Sequence, residues 1–155
     1  MSGKLIARIE LNRQELSRVT EQLDPLILKG STSDLDIIET AAVAAMLHSF
    51  YTLIEKILES LAREMDQAVP RADQWHRDLI EQMAQPTAFR RAVISEDLAE
   101  KLKEYLAFRH LFRGASIVLM RWNKMQPLAN RAGETFRQFD SELSSFLATH
   151  ARSLE

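Results

Sequence analysis

Apolar residues recur at three- and four-residue spacing along almost the whole chain, and little interrupts them: four glycines and four prolines in 155 residues. This pairing constrains the fold more than any other feature. A 3.6-residue period commits a segment to an amphipathic helix, and scarce punctuation makes the helices long. In the first segment, residues 2–23, Leu5, Ile9, Leu16, Val19 and Leu23 share one stripe, interrupted by Asn12. Asp24-Pro25 is expected to end it, because proline disfavours a helical residue before it. Lys29 to Asp34 reads as a loop, with Ser33 or Asp34 capping the next helix.

The second segment, residues 34–68, carries Ile38, Ala41, Ala45, Ile54, Ile57, Leu58, Leu61 and Met65. A straight helix of that length would run about 52 Å, which leaves room for a kink or an early break. A short third segment, residues 72–84, places Trp75, Leu79, Ile80 and Met83 on one side before Pro86 closes it. Ser95 is a candidate N-cap for a fourth helix, followed by Glu96 and Asp97 where the helix dipole favours acids. That helix carries Leu98, Leu102, Tyr105, Leu106, Phe108, Leu111 and Phe112 and is expected to continue past Ala115. The last is expected to start near Pro127, with Leu128, Ala132, Phe136, Phe139, Leu143, Phe146 and Leu147 as its stripe. No alternating strand pattern or repeat appears. The expectation is an all-α bundle of five helices, the third a short cross-piece, in one domain over residues 1–155. The terminal Leu154-Glu155 is compatible with a cloning remnant.

Composition narrows the chemistry. The net charge is 20 − 22 = −2, which argues against bulk coating of nucleic acid but leaves room for a local basic site. Cysteine is absent, so disulfides, thiolate metal sites and a cysteine nucleophile are excluded. No run of about 18 uncharged apolar residues is present, so no membrane helix is expected. The start, Met1-Ser2-Gly3-Lys4-Leu5, leads into an amphipathic pattern and not a signal peptide. A cytoplasmic protein without membrane contact is the expectation.

Charge is unevenly placed. Between Glu104 and Glu134 there is no acidic residue, yet the window holds Arg109, Arg113, Arg121, Lys124 and Arg131. Arg109 and Arg113 lie about 40° apart around a helix, so two guanidinium groups share a ridge that can grip a phosphate. The plainer reading is a solvated or salt-bridged pair. Of the histidines His48, His76, His110 and His150, only His76 has an acid at metal-pair spacing, Asp73. A bundle metal site needs a second such pair, so no metal or cofactor is expected. On the second helix His48, Tyr51, Glu55 and Glu59 lie near one side. Glu55 either orients a basic group from a facing helix or is simply the helix's polar edge.

Three stretches carry a family resemblance: Leu47-His48-Ser49-Phe50-Tyr51, then Trp75-His76-Arg77-Asp78-Leu79-Ile80-Glu81-Gln82-Met83, then Phe108-Arg109-His110-Leu111-Phe112-Arg113. In order and spacing they resemble the HepT-like branch of the HEPN superfamily across nearly the whole chain. The resemblance implies a helical homodimer and a metal-independent ribonuclease that serves as the toxin of a toxin–antitoxin pair. The implied partner is a minimal nucleotidyltransferase, which silences the toxin by attaching AMP to a tyrosine. The implied signature is Arg, four residues, His, one residue, Tyr.

The chain departs from that signature. Arg109 matches the arginine, but Gly114 stands at the histidine position, Ser116 at the tyrosine position and Val118 where an aromatic commonly follows. Metal-free RNA cleavage needs a base for the ribose 2′-hydroxyl and a cation for the charge gathering on phosphate. Arg109 and Arg113 can still supply the cation; glycine cannot move a proton. His110 is a poor substitute, because helical side chains lean toward the N-terminus, away from position 114; His48 is the other substitute to consider. Gly114-Ala115-Ser116 also marks a bend or a close helix approach. Arg109 and position 114 would lie about 140° apart on a straight helix, so a working pair needs that bend or a second subunit. The expectation is a catalytically degenerate dimer binding RNA or a protein partner through Arg109 and Arg113. The alternatives are an active ribonuclease using His110 or His48, and a helical scaffold whose arginines serve only structure.

Overall fold

The computed structural model describes residues 1–152, so Leu154-Glu155 lies outside the described residues. Five α-helices follow one another: α1 Gly3–Gly30, α2 Ile37–Leu61, α3 Trp75–Ala84, α4 Glu96–Gly114 and α5 Trp122–Arg152. No strand occurs among the described residues. α2 is the centre of the bundle and packs against all four other helices; α1 also packs on α5, and α4 on α3 and α5. The core is built from α2 residues Val43, Leu47, Phe50, Ile54, Ile57 and Leu58 against Ile9, Leu16 and Leu23 of α1 and Phe139 and Phe146 of α5, all at most 1% exposed.

Local chemistry sets the starts. Ser2 caps α1 by accepting from the Leu5 N–H at 3.2 Å, and its own hydroxyl donates to Glu64 at 2.8 Å. Asp36, and not Ser33 or Asp34, caps α2. It accepts from the Glu39 N–H at 2.8 Å while Glu39 accepts from the Asp36 N–H at 3.1 Å, a reciprocal capping box. Ser95 caps α4 as expected, accepting from Leu98 N–H at 3.1 Å.

Several boundaries differ from the sequence reading. α1 does not stop at Asp24-Pro25 but continues to Gly30. Proline costs it one intrahelical bond, to the Glu21 carbonyl, while Leu26 and Ile27 gain contact with the core. At its end the Gly30 carbonyl accepts from the Trp122 indole N–H at 3.1 Å. The indole lies so close that a Cβ on Gly30 would collide with it. α5 starts at Trp122, not near Pro127, because burial of Trp122 and Met125 draws the preceding turn into the helix. α4 ends at Gly114 and does not pass Ala115, whose backbone is extended at φ −107°, ψ 150°.

The long second segment does break. After Leu61 the backbone widens into one π turn, Ala62–Asp66, and Gln67 then takes left-handed φ 52°. The expected apolar face of α2 holds at Ile54, Ile57, Leu58 and Leu61, but differs in the first turns: Ile38 is 77% exposed, while Thr40, Val43 and Ala44 are buried. Contrary to the composition reading, residues Ile37–Asp66 are long and apolar enough to span a membrane by length and composition. Packing explains that apolarity, since α2 contacts every other helix and buries Glu55 with it.

The π turn is pinned by a buried ion pair. Arg90 donates from Nε to Asp66 Oδ1 and from Nη2 to Asp66 Oδ2, both at 2.6 Å, and Gln82 Nε2 donates to Oδ2 at 2.7 Å. The remaining Arg90 protons go to the carbonyls of Gln85, Arg91 and Gln82. Burial alone would raise the Asp66 pKa, but the Arg90 and Gln82 hydrogen bonds hold it below its ordinary value.

Candidate functional site

Four polar residues of α2 fall on one helical face: His48, Tyr51, Thr52 and Glu55. They face the C-terminal half of α4 and the start of α3. The His48 ring lies 5.0 Å from the Phe112 ring of α4. His48 is held below its ordinary pKa by burial first, then by Arg109 and Arg113, with Glu55 pulling the other way. Tyr51 is only 1% exposed. Burial and the Glu55 carboxylate push its phenol far above the normal range, against a smaller opposing effect of Arg109. The bundle thus brings Arg109, His48, Tyr51 and Glu55 into one electrostatic neighbourhood.

Their hydrogen bonding is incomplete. Arg109 Nε and Nη1, His48 Nδ1 and Thr52 Oγ1 are all buried without a hydrogen-bond partner. Buried polar groups are normally satisfied, so orphan atoms on two facing helices mark a polar interface that ordered water or a bound group would complete. Arg113, one turn on from Arg109, is exposed and makes no ion pair among the described residues. Of the five cations in the acid-free window, Arg131 is tied to Glu104 at 3.1 Å; Arg109, Arg113, Arg121 and Lys124 make no ion pair among the described residues.

Gly114 and Ser116 lie apart from this cluster. Gly114 is the exposed last residue of α4, and a Cβ built there meets nothing within 4 Å. Ser116 is exposed just before the short 3₁₀ turn Ile117–Leu119. A side chain at position 114 would enter open space in the single subunit.

Glu55 is not a polar edge. It is 7% exposed and receives the His76 Nδ1 contact at 2.7 Å, so it orients a basic group of a facing helix. The indole of Trp75 stacks on His76 at 3.7 Å, and His110 meets His76 edge-on at 6.0 Å. His110 therefore turns toward α3 and not toward position 114, as the lean of helical side chains implies. The Glu55–His76 pair was not readable from spacing, because its members are 21 residues apart on different helices. Among the described residues no three His, Asp or Glu side chains are grouped as metal ligands.

The HepT-like protein family matches residues 42–150, from the second turn of α2 into the end of α5. The chain belongs to the HepT-like protein family. No curated protein and no solved structure shows significant similarity to it. Membership supports reading this HepT-like chain as a component of a HEPN-type toxin–antitoxin module, and the matched span contains every residue of the α2–α3–α4 cluster.

Proposed function

We propose that this HepT-like chain binds RNA through Arg109 and Arg113 without cleaving it efficiently, as the degenerate HEPN component of a cytoplasmic toxin–antitoxin module. One observation carries the reading. Arg109 offers two buried, unpartnered donors beside an exposed Arg113, while the position that should supply the proton-transfer group is a glycine facing open space. The cationic half of a phosphodiester site is kept and the basic half is missing. Loss of a positioned base costs about 10² to 10⁴ in rate.

A symmetric dimer completes the picture. Leu111, Ile117, Val118 and Leu119 are 58%, 37%, 55% and 67% exposed at the end of α4, next to Gly114. A second copy seated on that patch would line one cleft from both subunits. The minimal nucleotidyltransferase partner would act by docking. Both tyrosines of the chain, Tyr51 and Tyr105, are 1% exposed, so no phenol is presented for nucleotidylation, and Ser116 stands at the tyrosine position.

A second reading rests on His48. Its imidazole is kept neutral beside Arg109 and Arg113, the state a general base requires. Residual ribonuclease activity through His48 is the reading it favours; the orientation of His110 toward His76 supports His48 over His110 in that role.

The test is a binding and cleavage series on a structured RNA. Wild type should bind in a salt-dependent manner, and Arg109→Ala with Arg113→Ala should abolish binding. The Gly114→His, Ser116→Tyr double variant should gain cleavage. Undiminished binding by the arginine variants would overturn the proposal and favour a scaffold.

A further inference from the structure

Around the axis of α4, Arg109, Arg113, His110 and Lys103 fall within an arc of about 120°, and Lys103 and Arg113 are about 15 Å apart along it. The basic stripe that begins at Arg109 thus continues toward α3. There it meets a cavity of about 350 Å³ whose lining includes Asp73, His76, Arg77, Lys103 and His110. This cavity is separate from the orphan cluster at Arg109 and His48.

Its polar groups are unevenly committed. Lys103 is paired with Glu100 at 2.8 Å and Glu81 at 3.4 Å, and Arg77 with Glu81 at 3.5 Å. His110 is exposed and makes no hydrogen bond among the described residues. His76 is held rigidly, by Glu55 on Nδ1 and by the stacked Trp75. A carboxylate can only accept, so Nδ1 carries a proton and Nε2 is the nitrogen left for the cavity. The groups around this ring are Glu55 from α2, Asp73 and Arg77 at the start of α3, and Lys103 and His110 from α4. The cavity also opens at the start of α3, where the N-cap residue Gln74 provides no side-chain cap hydrogen bond. Positive helix ends favour anions.

We propose that the His76–His110 cavity between α3 and α4 is a second phosphate site, which holds a phosphate of the same RNA strand that lies across Arg109 and Arg113. The inference rests on the RNA-binding reading above and adds the direction in which the strand leaves the arginines. With both ring nitrogens protonated, His76 donates Nε2–H to a phosphate oxygen while its Nδ1–H stays hydrogen-bonded to Glu55. His110 and Arg77 close on the remaining oxygens. Binding here is non-covalent and breaks no bond.

Two probes separate this inference from the reading beneath it. The first is a short oligouridylate titrated at several salt concentrations. Each single-strand phosphate contact contributes about 0.7 to the slope of log affinity against log salt. The Arg77→Gln, His110→Gln pair, both at exposed positions, should lower affinity about tenfold and reduce the slope by about 0.7. An unchanged slope would overturn the second site while leaving the arginine site standing. The second probe is uridine 5′-monophosphate, followed by NMR on the His76 and His110 ring protons. Both rings should shift on titration, in wild type and in Arg109→Ala alike, and the His76 shift should be lost in His110→Gln. Absent ring shifts would overturn the proposal. Failure of the oligouridylate to bind wild type would overturn both the arginine site and the shared strand, whatever the monophosphate does.

Discussion

Two arginines, one buried and one half-buried, sit in opposite circumstances. Arg90, its side chain 1% exposed, has every donor engaged, two of them on a carboxylate that is itself nearly buried. Arg109 has two buried nitrogens with no partner at all. The first arrangement tolerates no change because it is finished: it joins the π turn to α3 and to the loop before α4. The second is unfinished within one subunit, and the proposed RNA contact is what would complete it. The two glycines repeat the lesson. Gly30 is sealed under the Trp122 indole, whereas Gly114 faces open space.

Breaking the finished side should have the largest effect. Asp66→Asn leaves the Arg90 charge buried without its counterion, and the expected loss in urea denaturation is about 3–5 kcal/mol. Because the folded pKa of Asp66 is depressed from its ordinary 3.8, its contribution is present above that value and lost as pH falls through the folded pKa. An acid titration of wild type followed by circular dichroism should show that loss, and Asp66→Asn should flatten it. Gly30→Ala comes next: forcing a methyl against Trp122 should cost about 1–3 kcal/mol and lower the thermal midpoint.

On the unfinished side the expected changes are small and of opposite sign. Arg109→Met removes unsatisfied buried donors, so stability should hold or rise by about 1 kcal/mol. In the same variant the His48 pKa, followed by ring-proton NMR, should move up toward 6.5, because Arg109 no longer presses on it. Gly114→Ala should stabilise by about 0.4–1 kcal/mol, since its φ is not positive and nothing obstructs the methyl. A large destabilisation by Arg109→Met would erase the contrast and make Arg109 a structural residue.

The all-helical fold was legible in the sequence because periodicity reports burial directly, as at Ile9, Leu16, Phe139 and Phe146. The helix ends were less so. Pro25 and Pro127 each cost a helix one bond, and burial at Ile27, Gly30, Trp122 and Met125 outweighed it; a local rule does not see that gain. The site divides the same way. Arg109 and Arg113 were visible as a ridge in an acid-free window, and the vacancy at Gly114 followed from the resemblance. The pairing of Glu55 with His76 and the turn of His110 toward α3 depend on how α2, α3 and α4 are docked, which no spacing encodes.

The central claim is that the α4 face holds RNA but lacks the group that would cut it. A long incubation of purified wild type with structured RNA, at enzyme in excess and without added metal, tests it most directly. Intact RNA that co-migrates with the protein is the predicted result. Time-dependent fragments that vanish in both Arg109→Ala and His48→Gln would contradict it and make His48 the missing base.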